Sequence, residues 1–211
     1  MNPLKVLTRQ DILPLERGGR IEVAAGGIIT DSAREEAAAR GVTIVLLPKD
    51  AIGSPASADR SIALGGDHGG FVMKEQLKRF LIEELHFTVK DYGSHDTEPV
   101  DYPDYAYLVA QAVAKGECRQ GIVIDGAGIG SAMAANKVPG IRAALCYDKA
   151  TARNSREHND ANVLSLGGKL QSFEALKDIV TTWLTTKFAG GRHQKRVDKI
   201  MEIEKRYLRK E

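Results

Sequence analysis

From residue 61 onward, short apolar runs rich in β-branched residues alternate with longer segments whose apolar residues recur at helical spacing. That alternation leaves few folds open. SIALGG at 61–66, FTVKDYG at 87–93, GIVIDG at 121–126, IRAALCY at 141–147 and NVLSLGG at 162–168 read as strands. Helices are predicted from Phe71 to Leu85, from Tyr102 to Lys115, from Ile129 to Asn136, through Arg156, and at about 172–187 and 193–209. Strands separated by helices pair in parallel through right-handed crossovers. Ligands of such sheets bind off the carboxyl ends of the strands, so the chemistry is expected just after the first, third and fifth runs.

The chain before this domain is shorter and less regular. Thr8 followed by Asp11 reads as a helix start, and IEVA at 21–24 as a strand. Thr30 or Asp31 can cap a helix through SAREEAAAR that Gly41 can end, and VTIVLL at 42–47 is a second strand. Residues 1–47 are thus a small αβ appendage. Residues 48–60, rich in Pro, Ser, Ala and Gly, are a linker, and 61–211 are the main domain.

Composition removes several function classes. A net charge of +2 argues against nucleic-acid binding by bulk charge. The two cysteines, Cys118 and Cys146, have no CxxC spacing, which argues against a disulfide framework or a zinc site. No apolar run has membrane-spanning length, and the N-terminus lacks the apolar core of a signal peptide. The expected location is cytoplasmic. Met73, Met133 and Trp183 read as core residues.

Four polar constellations interrupt the pattern. The first strand ends in Gly65-Gly66-Asp67-His68-Gly69-Gly70, a carboxylate beside an imidazole with glycines that permit close approach. The third ends in Asp125-Gly126-Ala127-Gly128-Ile129-Gly130-Ser131, whose backbone amides suit an oxyanion or phosphate. It is not a dinucleotide fingerprint: the third glycine falls on Ser131, and the motif follows the third strand rather than the first. A flavodoxin-like redox protein therefore has little support. Asn154 to Asp160 surround His158 with polar groups before the fifth strand. In the fourth, Arg192 and Arg196 share a helix face and suit a phosphate, with Lys169 as a further cation. Each also has a plain reading, as a helix cap, a tight turn or a solvated charged face. Together, two guanidiniums, a carboxylate, an imidazole and an amide nest suit proton transfer beside the carbonyl of a phosphorylated sugar. The same parts suit a sugar-phosphate-binding protein without turnover.

The runs GGDHGGFVMKE, DYPDYA, GAGIGSAMAANKVPGIRAALC, ARNSREHNDANVLSLGG and GGRHQKRV resemble, in order, the ribose-5-phosphate isomerase B family, which includes the galactose-6-phosphate isomerase subunits. The resemblance spans residues 61–210. It implies a doubly wound, Rossmann-like five-stranded parallel sheet, no metal or other cofactor, and a homodimer or dimer of dimers with shared sites. It implies that His158 opens the sugar ring with Asp67 as helper, and that Asn159 and the amides of Gly126, Gly128, Ile129 and Gly130 hold the enediolate. His68, Arg192 and Arg196 resemble the phosphate and substrate clamp, Tyr102 lines the sugar site, and Lys169 stands where many members carry Arg. The implied reaction interconverts ribose 5-phosphate and ribulose 5-phosphate. Allose or galactose 6-phosphate are alternative substrates.

Two positions depart from the family pattern. One branch places a Cys base where this chain has Asp125, and another places a Glu base where it has Ser131. Asp125 is the expected base, its basicity raised by burial beside apolar strand residues. Finally, GGIITDSAREEAAARGVTIV resembles short N-terminal segments of enzymes associated with bacterial microcompartments. That resemblance implies shell or cargo proteins as partners of residues 1–47. The plain alternative is a packing appendage that extends the dimer interface.

Overall fold

The computed structural model describes residues 4–7, 9–46 and 60–208. The chain forms two compact units, Met1–Ala58 and Asp59–Glu211.

In the second unit, β4 (Ser61–Gly66), β5 (Thr88–Asp91), β6 (Gln120–Asp125), β7 (Ala143–Leu145) and β8 (Val163–Gly167) pair in parallel in the order β5-β4-β6-β8-β7. Every residue of β6 and β8 is buried, as expected of parallel strands covered on both faces. Side chains alternate between those faces. Ile62, Leu64, Ile122, Ile124, Leu164 and Leu166 enter one core with Leu77, Leu176, Ile179, Val180 and Trp183. Ala63, Val123 and Val163 enter the other with Ala106, Val109, Ala110 and Val113. The first core is covered by α3 (Phe71–Arg79), α6 (Lys149–Asn159) and α7 (Phe173–Thr185), the second by α4 (Tyr102–Ala114) and α5 (Ile129–Ala135). A last helix, α8 (Arg192–Tyr207), packs on α6.

The connections from β4 lead first to one neighbour, β5, and then across it to the other, β6. Such a reversal opens a crevice at the carboxyl ends of β4 and β6. The register pairs Gly66 with Ile124, so Asp67 and Asp125 each stand one residue beyond that pair.

Several predicted boundaries shift. The helix from Phe71 ends its α-helical part at Arg79 and closes through a π-helical turn at Phe80–Glu84. The predicted helix through Arg156 runs on to Asn159, with Asp160 in the left-handed conformation (φ 45°) as its C-cap. Met73 packs against the core as expected, but Met133 is 65 % exposed. Glycine and alanine dominate α5, so this short helix has little apolar surface to turn inward.

In the first unit, β1 (Leu4–Leu7), β2 (Arg20–Ile29) and β3 (Thr43–Leu46) form a parallel sheet in the order β1-β2-β3, with α1 (Arg9–Ile12) and α2 (Asp31–Arg40) as connections. Thr30 caps α2 by accepting the Ala33 amide at 3.3 Å, and Gly41 ends it at φ 68°. Leu7, Ile12, Val23, Ala33, Ala37 and Val42 form a core of their own. β1 has no counterpart in the sequence reading, and β2 runs well past the four residues predicted. Thr8 and most of the 48–60 segment lie outside the described residues.

Candidate active site

At the carboxyl edge of the second unit, the loop after β6 is built around Asp125. Its Oδ1 accepts the amides of Ala127 (2.8 Å) and Gly128. Its Oδ2 accepts the Ser131 amide (3.0 Å) and the Ser131 hydroxyl (2.5 Å). The carboxylate is 5 % exposed. Two carboxylate oxygens offer about four lone-pair directions, and four donors fill them. The loop's carbonyls are held too: Ser165 Oγ donates to Gly128 O at 2.6 Å and Tyr147 OH to Ala127 O at 2.7 Å. Gly128, at φ 79°, has no room for a β-carbon, which would lie 2.6 Å from Leu145 Cδ1. Among the described residues, the amides of Gly126, Ile129 and Gly130 make no hydrogen bond.

Asp67 stands across the crevice and is also buried. One oxygen accepts the Gly70 amide at 2.9 Å; the other has no partner among the described residues. A β-carbon at Gly69 would meet Asp67 Oδ1 at 3.2 Å, Lys169 Cε at 3.4 Å and Gly126 N at 3.5 Å, so these three groups converge there. His68 Nδ1 contacts the backbone of Val100, 3.2 Å from both its amide nitrogen and its carbonyl oxygen. The Tyr102 ring lies against Gly130, where a β-carbon would sit 2.5 Å from it. Thus Asp67, His68, Tyr102, Asp125, Gly126, Gly128, Ile129, Gly130 and Lys169 share one edge.

The remaining predicted residues gather elsewhere. α6 leaves the carboxyl end of β7 and runs back to the amino end of β8, so its last residues, His158 and Asn159, reach the amino edge. Arg142, immediately before β7, confirms the place: its Nε donates to Asn159 O at 3.1 Å. The imidazole of His193, at the start of α8, stacks on that of His158, centroids 4.2 Å apart and planes 2° from parallel. Arg192 and Arg196 flank it and are exposed. An eleven-residue helix spans about 16 Å, which carries these residues away from the carboxyl edge where α6 begins. Within one chain, His158, Asn159, Arg192 and Arg196 do not meet Asp67 and the β6 loop. The rule that points to the carboxyl edge finds only the first set.

The surroundings of Asp125, the expected base, differ from the expectation: the carboxylate is buried as foreseen, but beside polar donors rather than apolar strand residues, and four donors occupy its two oxygens. Neither thiol is a ready alternative. Cys118 and Cys146 are buried, and desolvation pushes both thiols up from their ordinary value. The sequence reading gave no part to Ser165, Tyr147, Asn154 or His193. Asn154, in the polar run around His158, and His193, inside the basic cluster, each carried a signal. Ser165 sits on the inward period of a buried strand, where a lone hydroxyl needs a partner. Among the described residues no three His, Cys, Asp or Glu side chains converge as a metal ion would need.

The sequence profile described as ribose/galactose isomerase matches residues 62–200. Ribose-5-phosphate isomerase B of Escherichia coli (strain K12) is 46 % identical over 147 residues, 70 % of this chain and 98 % of that protein. A solved structure of ribose-5-phosphate isomerase B from Clostridium thermocellum aligns with a TM-score of 0.68 at 53 % identity, covering 70 % of this chain and 99 % of that one. A protein of Pectobacterium atrosepticum named D-erythrulose-4-phosphate isomerase is 40 % identical over 141 residues, 66 % of this chain and 92 % of that protein.

Proposed function

The chain belongs to the ribose/galactose isomerase family, and from that premise we propose that it is an aldose–ketose isomerase interconverting ribose 5-phosphate and ribulose 5-phosphate through an enediolate. The observation that carries the reading is the division of one chemical set between two sheet edges. The carboxyl edge offers a carboxylate and free amides; the amino edge offers an imidazole and two guanidiniums. One copy's carboxyl edge facing another's amino edge completes the site, so the working unit is a homodimer at least.

In that unit His158 passes a proton to the ring oxygen and opens the sugar. A carboxylate takes the C2 proton, and the amides of Gly126, Ile129 and Gly130, with Asn159, hold the enediolate oxygen. Arg192, Arg196 and His68 hold the phosphate and Lys169 adds a cation. The base's part passes from Asp125 to Asp67, the buried carboxylate with an oxygen unoccupied. Asp125 orders the loop instead. The kinship with a D-erythrulose-4-phosphate isomerase supports a second reading of the substrate, a four-carbon sugar phosphate at the same site.

The test is solvent-deuterium exchange at C2 of ribose 5-phosphate, followed by proton NMR for wild type, Asp67→Asn and Asp125→Asn. Wild type is expected to lose the C2 signal as ribulose 5-phosphate grows. Asp67→Asn should bind the sugar and fall about a hundredfold or more in exchange. If Asp125→Asn alone abolishes exchange with binding intact, the base is Asp125. An inactive wild type that binds ribose 5-phosphate would make the chain a binding protein or an isomerase of another sugar.

A further inference from the structure

His193 lies outside the isomerisation chemistry just described, yet it touches two of its groups. Its ring is 7 % exposed and parallel to that of His158 at 4.2 Å. Its Nε2 accepts from Arg192 Nε at 3.4 Å. With Nε2 occupied as an acceptor, the proton of the neutral ring lies on Nδ1, which is buried without a partner. On its other side His158 is held by Asn154, whose Nδ2 donates to His158 Nδ1 at 2.9 Å. The orientation of that amide is set by Asn159, whose Nδ2 points to Asn154 Oδ1 at 3.5 Å. The neutral His158 ring therefore carries its proton on Nε2, the tautomer able to give a proton to a ring oxygen.

From this geometry we infer that His193, together with Asn154, is a positioning residue for His158: a neutral ring that fixes the plane of the ring-opening imidazole and at the same time orients Arg192. The inference rests on the isomerase reading and adds to it. Two imidazoles stacked this closely do not both hold a proton. Burial, His158, Arg192 and Arg196 all lower the basicity of His193, and only Glu157 opposes them. His193 is thus kept neutral beside His158. Besides His193, His158 meets Asn154 and Glu157 on its own helix, with Glu157 Oε1 3.8 Å from Nε2; Arg192 and Arg196 of α8 act on the stacked His193.

Ring opening offers a selective readout. Ribose 5-phosphate closes a five-membered ring through its C4 hydroxyl. Erythrose 4-phosphate cannot, because its C4 oxygen carries the phosphate. His193→Ala and Asn154→Ala are each expected to lower kcat on ribose 5-phosphate by about tenfold or more and to leave kcat on erythrose 4-phosphate within about twofold. His193→Phe keeps the stacked plane but loses the acceptor for Arg192. It should hold kcat near wild type and raise KM for both sugars. The ¹⁵N shifts of His158 in the full-length protein should show the Nε2–H tautomer in wild type and its loss in Asn154→Ala.

Equal losses on both sugars, or an unchanged His158 tautomer in Asn154→Ala, would overturn the inference. The exposed Asn154→Ala and the volume-preserving His193→Phe decide the matter if His193→Ala does not fold. A wild type that turns over neither sugar would defeat the isomerase reading, while the His158 tautomer would still stand or fall by itself.

Discussion

The two edges of the second unit hold their functional groups by different means. At the carboxyl edge the groups grow out of buried strand ends. Asp125 gathers three backbone amides and a hydroxyl, and Ser165 and Tyr147 hold the carbonyls of the same loop. At the amino edge the groups are side chains on the last turn of α6 and the first turn of α8, held by a ring stack and an amide relay, with the guanidiniums left exposed. The first arrangement cannot change without disturbing the sheet. The second can shift at little cost to the fold. Under the proposed function, a crevice that must present an enediolate to fixed dipoles calls for the first kind, and a clamp on a mobile phosphate is served by the second.

The sharpest way to break this comparison is to separate the edges genetically. Asp67→Asn and His158→Asn should each lower activity about a hundredfold or more. If each site draws Asp67 from one copy and His158 from another, co-expression of the two variants yields heterodimers with one intact site. About a quarter of wild-type activity should then return. Purified mixed dimers that stay inactive would mean that each site is complete in one chain, against the separation of the edges.

A second contrast concerns pH and stability. The end of β5 is tied to α3 by Asp91, which accepts Lys74 Nζ at 2.9 Å and Lys78 Nζ at 2.7 Å; Lys74 is fully buried. Burial alone would raise the Asp91 carboxyl. The hydrogen bonds from Lys78, Lys74 and the Gly93 amide outweigh it and bring the group below its ordinary 3.8. A depressed carboxylate contributes stability that is present above 3.8 and lost as pH falls through the folded value. Lys78 is the mirror case: raised above 10.5, chiefly by its bond to Asp91, it contributes below 10.5 and loses that contribution as pH rises through its folded value. Asp91→Asn strands a buried ammonium on Glu75 alone, at a cost of about 3 kcal/mol. Thermal melts between neutral pH and pH 3 should show a lower melting temperature for the variant and a flatter decline on the acid side. Parallel declines would show that other carboxylates carry the acid limb.

Much of this unit was legible beforehand, because a parallel sheet covered on both faces must write its strands as apolar runs. All five were readable, and so were the glycines whose turns carry the polar groups. Two things were not. Sequence order places His158 just before a strand, but only the direction of α6 decides which edge it reaches, and direction follows from pairing rather than from periodicity. Asp125 shows a carboxylate at a position of interest; whether its oxygens are free depends on amides two, three and six residues onward folding back on it. In the first unit, Gly26-Gly27 reads as a break where the backbone continues as β2.

The smallest change tests the role of Asp125 most directly. Ser131→Ala removes one of its four donors and leaves the Ser131 amide in place. The expected cost is about 1 kcal/mol, measured by urea unfolding. As a clamp, Asp125 then holds the loop less firmly. Amide exchange at Ala127 and Gly128 should quicken, KM should rise, and C2 proton exchange per bound sugar should stay level or fall. As a base, Asp125 gains a free lone pair when the hydroxyl is removed, and C2 exchange per bound sugar should accelerate. The two readings differ in sign, so a small variant separates them without depending on a large loss that unfolding alone could produce.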